Sequence, residues 1–166
     1  MTPEKPDLPE ALNQLTAVST PMAAERGSLP TRHGQLDFAR RTLIMGIINV
    51  TPDSFFDGGR RYDPAKAVAD GVVMAASGAD ILDIGGESTR PATFASHAPL
   101  DPEEERRRIL PVIEAVSARL PAVPLSVDTY KAAVARRAIE TGASMVNDIS
   151  ALRADPDMAG VVAASG

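Results

Sequence analysis

From Leu43 onward the apolar residues fall into short runs alternating with helical stripes. Leu43, Ile44, Met45, Ile47 and Ile48 form a run that breaks at Asn49 into a polar stretch reaching Gly59, as a buried strand does when it delivers a loop. Asp63 then stands before Pro64, and Val68, Val72 and Ala75 or Ala76 recur at helical spacing until Gly78, which predicts a capped helix. Residues 79–84 predict a second strand, followed by Gly85 and Gly86. Asp101 before Pro102, with Glu104 three residues after the cap, opens a second helix whose stripe is Ile109, Val112, Ile113, Val116 and Leu120. The acids and arginines from Glu103 to Arg108 are assigned to its solvated face. Residues 123–127 predict a third strand, 130–141 a third helix stopped by Gly142, and 143–146 a fourth strand. Asp155 with Pro156 is expected to open a fourth helix.

Strand, loop and helix in strict alternation imply an α/β fold with a parallel sheet and right-handed crossovers. Two architectures meet that description, a doubly wound open sheet and a (β/α)8 barrel. No predicted strand is followed by Gly-x-Gly-x-x-Gly or a Walker loop, which removes the main sign of a nucleotide-binding open sheet. A barrel also explains where polarity falls. Asn49, then Glu87 to Arg90, then Asp128, then Asn147 and Asp148 follow the four predicted strands, and in a barrel those ends converge on one face. The fold expected is therefore a TIM barrel of which the chain holds about the first four βα units, in residues 32–166. A full barrel takes about 250 residues, so a partial chain is expected, one whose outer strands would have unpaired edges. Residues 1–31, with several prolines and no sustained period, are expected to be a flexible leader, and residues 32–41 a short antiparallel β ribbon. His33 in that ribbon is expected to be a solvated turn residue, since no second ligand stands near it in sequence.

Composition narrows the chemistry. The 166 residues are 44% hydrophobic and 23% charged with a formal charge of −5, which argues against non-specific nucleic-acid binding. There is no cysteine, so thiolate nucleophiles and Cys-based metal sites are excluded. No apolar run approaches a membrane span of about 18 residues, and the first residues, MTPEKPDLPE, lack the layout of a signal peptide. A cytoplasmic location is expected.

Four stretches carry a family resemblance. They are residues 45–55 (MGIINVTPDSF), 83–91 (DIGGESTRP), 126–129 (SVDT) and 146–149 (VNDI), each after a predicted strand. In this order they resemble the dihydropteroate synthase family of pterin-binding enzymes, over residues 36–166 and the amino half of its barrel. The resemblance implies condensation of 6-hydroxymethyl-7,8-dihydropterin diphosphate with 4-aminobenzoate in folate biosynthesis, assisted by Mg²⁺ and releasing pyrophosphate. It implies small-molecule substrates, no nucleic-acid or membrane partner, and a homodimeric parent enzyme; the chain alone is expected to be inactive.

By the same resemblance Asn49 offers its amide oxygen to the metal, while Asp128, Asn147 and Ile149 bind the pterin. An ionised Asp accepts from two N–H groups and an Asn both donates and accepts, which suits an aminopyrimidinone edge. Thr89, Arg90 and Pro91 hold diphosphate and shape the aminobenzoate site, with Arg90 and Asp57 as the catalytic pair. Asp57 would stabilise the cationic pterin methylene. Asp53, Ser54 and Phe55 belong to a mobile first loop. Taken singly, each position has a plainer alternative. Asp128 could cap the following helix, Asn147 and Asp148 could be turn residues, Arg90 a surface arginine and Asp83 a buried structural acid. A non-catalytic pterin-binding or assembly half-barrel is the alternative function, and a pterin-dependent methyl transferase is disfavoured by the Asn-Val-Thr-Pro-Asp-Ser-Phe loop. Where the family commonly has Gly after the Ser-Thr-Arg-Pro motif, Ala92 stands here.

Overall fold

The computed structural model describes residues 27–51, 63–88 and 98–165. A two-stranded antiparallel ribbon, β1 (Ser28–Thr31) and β2 (Gly34–Asp37), precedes a four-stranded parallel sheet. The sheet strands are β3 (Met45–Asn49), β4 (Ile81–Gly85), β5 (Leu125–Asp128) and β6 (Met145–Asn147). The helices are α1 (Pro64–Ala76), α2 (Pro102–Arg119), α3 (Ala132–Thr141) and α4 (Met158–Ser165).

Strand order distinguishes the two candidate architectures. Each strand pairs with the one before it, in the order β3, β4, β5, β6, with no reversal. A doubly wound sheet reverses direction and carries helices on both faces. Here Ile48, Leu82, Ile84, Leu125 and Val127 project from one sheet face into a single buried cluster with Val68 of α1, Ile109, Val112, Ile113 and Val116 of α2, and Val134 and Ala138 of α3. Singly wound strands with their helices on one side are the arrangement of a β/α barrel wall.

The helices begin where the sequence leads one to expect, with two shifts. Asp63 accepts from Ala65 N at 2.9 Å, and Asp101 accepts from Glu103 N at 2.8 Å, each before a proline that needs no partner. The third helix starts at Ala132 and not at residue 130. The fourth starts at Met158, because the Asp155 carboxylate is shared: Oδ1 accepts from Asp157 N at 3.0 Å while Oδ2 accepts from Ala132 N at 2.8 Å. One acid thus organises two helix starts.

The ribbon begins at Ser28, inside the expected leader of residues 1–31; residues 1–26 lie outside the described residues. It is fastened at the amino ends of the sheet strands. Arg41 pairs with Asp80, which also accepts from Ile44 N at 2.9 Å, and Arg32 donates to Ile139 O at 3.2 Å. His33 is not a solvated turn residue: its Nδ1 donates to Pro121 O at 2.9 Å and its Nε2 is buried. Among the described residues, no helix is long and apolar enough to cross a membrane.

Gly142 ends α3 at φ 140°, and a Cβ built there would sit 2.8 Å from Ser117 Oγ. Gly160, inside α4, has nothing within 4 Å of such a Cβ. Gly142→Ala is therefore expected to destabilise the protein by about 1–3 kcal/mol, while Gly160→Ala stabilises it by about 0.5–1 kcal/mol. Urea unfolding of the two variants checks the opposite signs.

Candidate active site at the carboxyl ends of the strands

Because side chains alternate along a strand, the sheet face opposite the helices is occupied by Met45, Ile47, Asn49, Ile81, Asp83, Gly85, Ser126, Asp128, Met145 and Asn147. Its last row is polar. The register places Asn49 beside Gly85, Gly85 beside Asp128, and Asp128 beside Asn147, so three of the expected ligands share one rung across four strands. Gly85 is the gap in that row. A Cβ there would approach Asp128 Oδ2 to 3.3 Å, so the glycine leaves the carboxylate its space.

Asp83 lies one rung deeper, 3% exposed. Its Oδ2 accepts from Asn147 Nδ2 at 3.0 Å, reaching past β5 to do so. A carboxylate only accepts, so this bond turns the Asn147 amide with its nitrogen toward Asp83 and leaves its oxygen for other donors. Asp83 Oδ1 and the neighbouring Ser126 Oγ are buried with no hydrogen-bond partner among the described residues. Asp83 is thus more than an inert core acid.

Asp128 is not a helix cap. Lys131 occupies the cap position of α3 without a side-chain capping bond, and the amides there are met by Thr129 Oγ1 and Asp155. Burial, first, and then the negative charges of Asp83, Glu105, Asp148 and Glu87 push the Asp128 carboxyl up to about 6. The last residue of β6 and the residue after it divide their roles. Asn147 faces Asp83, whereas Asp148 is a turn residue, accepting from Ser150 N at 2.7 Å and Leu152 N at 3.1 Å where Ala151 and Leu152 adopt positive φ. Ile149 is 61% exposed just beyond the rung, an apolar surface beside the polar row.

Asn49 is exposed at the end of β3, and no described residue bonds its side chain. Among the described residues, no group of three or more His, Asp or Glu could hold a metal ion. The donor set fits Mg²⁺ all the same, because that ion keeps most of its waters and takes one or two protein oxygens together with substrate phosphate. Asp53, Ser54, Phe55, Asp57, Thr89, Arg90 and Pro91 lie outside the described residues.

A second group beside the site had no place in the sequence-based expectations. Glu105, assigned to a solvated face, is 1% exposed and forms an ion pair with Lys131. Lys131 also donates to Glu87 Oε2, which accepts from Tyr130 Oη at 3.0 Å as well. Burial opposes the ammonium charge, but Glu105 and Glu87 outweigh it and hold the Lys131 pKa above its ordinary value. The signal was present in the spacing: Glu105 precedes Ile109 by four residues and Val112 by seven, in line with the apolar stripe.

Residues 45–166 match the pterin-binding enzyme family. Dihydropteroate synthase of Bacillus subtilis is 48% identical over 133 residues, covering 80% of this chain and 45% of that protein. The structure of Xanthomonas albilineans dihydropteroate synthase with 4-aminobenzoic acid superposes with TM-score 0.74 at 47% identity, covering 84% of this chain and 48% of that one. The same Xanthomonas enzyme in complex with 7,8-dihydropteroate gives 0.65 at 46% identity, over 79% and 45%. The chain spans less than half the length of these relatives.

The raised Asp128 pKa fixes the sign of a pH effect. Its ordinary value is 3.8 and its folded value about 6, so the folded state holds the proton more tightly. The resulting stabilisation is complete below 3.8 and is lost as pH rises through about 6. The full shift corresponds to about 3 kcal/mol, reduced to about 1 kcal/mol by the solvent that reaches this partly exposed carboxylate. Asp128→Asn is expected to raise stability by that amount at pH 8 and to leave it unchanged below pH 4. Denaturation curves at the two pH values decide; an equal effect at both would remove the assigned cause.

Proposed function

The chain belongs to the pterin-binding enzyme family, and we propose that it is the amino-terminal part of a dihydropteroate synthase. The reaction is condensation of 6-hydroxymethyl-7,8-dihydropterin diphosphate with 4-aminobenzoate in folate biosynthesis. The observation that carries this is the polar rung of Asn49, Asp128 and Asn147 at the carboxyl ends of consecutive parallel strands, with Asp83 orienting the amide.

In this mechanism the ionised Asp128 accepts N–H groups of the pterin edge. The Asn147 oxygen accepts a further donor, because its nitrogen is committed to Asp83. Ile149 packs against the ring. Asn49 would contribute an amide oxygen to Mg²⁺, and the ion when bound would supply neutralisation of the charge that grows on the diphosphate. By resemblance Thr89 and Arg90 hold diphosphate oxygens, Pro91 shapes the aminobenzoate site, and Asp57 stabilises the methylene cation as pyrophosphate departs. Once the C–O bond to diphosphate has broken and pyrophosphate has taken its electron pair, the aminobenzoate amine attacks the methylene cation, forms the new C–N bond and loses a proton. No protein nucleophile takes part. The whole protein would be a cytoplasmic homodimer, its mass in solution measurable by sedimentation.

Pyrophosphate release by the protein expressed over its whole natural reading frame tests the proposal. Turnover is expected to require both substrates and Mg²⁺, and Asn49→Ala is expected to lower kcat/KM by about tenfold or more and to raise the Mg²⁺ concentration needed. The 166 residues alone are expected to show no turnover. Binding of pterin without turnover by the whole protein would point instead to a non-catalytic binding module.

A further inference from the structure

The Asp83 carboxylate has a single hydrogen-bond donor among the described residues. Asn147 Nδ2 reaches its Oδ2 at 3.0 Å, while its Oδ1 and the Ser126 Oγ opposite it on β5 have none. At 3% exposure Asp83 depends on that donor, because a buried carboxylate deprived of its partner costs more than the bond itself returns. The reversed amide would set the Asn147 oxygen against the carboxylate, two acceptors face to face. Asp83 therefore fixes which end of the amide the site receives.

The surroundings of that amide are short of donors. Asn147 is exposed at the end of β6, and no described residue donates to its Oδ1. Asp128 stands beside it on β5, and when ionised it only accepts. The backbone N–H of Thr129, next to Asp128, is already given to Asn147 O at 3.0 Å. Asn49, whose amide can donate, lies beyond the gap at Gly85. The half of the rung formed by β5 and β6 thus offers oxygens alone. Such a surface binds an edge of donors and rejects an edge that puts an oxygen in their place.

We infer that Asp83 is a specificity-determining residue, which by holding the Asn147 nitrogen makes this half of the site an acceptor surface for ligand edges that carry amino and ring N–H groups. The inference rests on the synthase function proposed above and deepens it. Asp83 acts through Asn147 and touches no ligand itself. An oxo group in place of the pterin amino group would face the Asn147 oxygen or the Asp128 carboxylate. The amino form is then selected by repulsion of the oxo form as well as by its own bonds. Asp83→Asn offers either an oxygen or an NH₂ at the same place, so the Asn147 amide is free to turn its nitrogen outward.

The test measures binding of two probes, 6-hydroxymethylpterin and 6-hydroxymethyllumazine, to the protein expressed over its whole natural reading frame at pH 7, above the Asp128 value of about 6. The probes differ in an amino or an oxo group at C2. Neither carries diphosphate or aminobenzoate, so the pterin edge alone is compared. The unchanged protein is expected to prefer the pterin by about 100-fold or more. Asp83→Asn is expected to lower that preference about tenfold, in part by binding the lumazine more tightly, a gain that general loosening does not produce. Ser126→Ala removes the buried hydroxyl of the same rung without touching the Asn147 amide, and is expected to leave the preference within about twofold. An unaltered preference in Asp83→Asn, or an equal fall in Ser126→Ala, overturns the inference. Proton exchange at the Asn147 side-chain amide separates this failure from failure of the function itself. If neither probe binds, the synthase reading fails, and the amide is still expected to exchange about tenfold more slowly in the unchanged protein than in Asp83→Asn; equal rates overturn the inference whatever binds. Should Asp83→Asn not fold, exchange in the unchanged protein as fast as in an unstructured Asn peptide overturns it as well.

Discussion

Alternation of side chains across a parallel sheet is the constraint on which the rest depends. Once β3 to β6 pair in order, every second residue must enter the helix-packed core and every other must face away from it. Gly46, Ile48, Leu82, Ile84, Leu125, Val127 and Val146 take the first face; Asn49, Asp83, Gly85, Ser126, Asp128 and Asn147 take the second. A slip of one residue in any strand would bury an Asp or Asn among the valines and isoleucines, at a cost of several kcal/mol. The apolar core thus selects the register, and the register assembles the site.

That assembly concentrates negative charge. Asp83, Glu105, Asp148 and Glu87 all lie close enough to act on Asp128, which burial first and then their charges push up to about 6. The protein answers the charge unequally. Glu87 and Glu105 share the Lys131 ammonium, and Asp83 and Asp148 accept N–H groups from Asn147 and from the turn after it. Asp128 alone of these five has no hydrogen-bond donor among the described residues, and it stands on the outermost rung. An acceptor left open and costly to ionise is suited to a ligand that brings its own donors.

The fold was largely legible in the sequence because its signals are local. Asp before Pro marks a helix start, and the apolar stripes and short β runs give their own periods. Asn49, Asp128 and Asn147 were legible as strand-end residues for the same reason. What escaped depends on contacts far apart in the chain. Glu105 was assigned to a charged exterior by its neighbours, and only Lys131, 26 residues on, makes its burial tolerable. The single ring of His33 gave no hint that Pro121 O would receive its proton, 88 residues away. Asp155 looked like the cap of its own helix, yet half its carboxylate serves Ala132. Asn147 and Asp148, alike in sequence, separate only when Asp83 is known to lie across β5.

Strand β4 shows how a site can be governed by an element that need supply no ligand from its last row. Along residues 81–87 the side chains do different work on alternate positions. Leu82 and Ile84 pack under the helices, Asp83 turns the Asn147 amide, Gly85 vacates the space that Asp128 fills, and Glu87 holds Leu100 and Lys131. Replacing Gly85 by any larger residue would crowd Asp128 with the backbone otherwise intact, and replacing Asp83 would free the Asn147 amide to rotate. The Asp-Ile-Gly-Gly-Glu stretch is therefore constrained at each position by a different neighbour. This explains why a short strand with one central acid carries as much of the site's geometry as the strands that present Asp128 and Asn147.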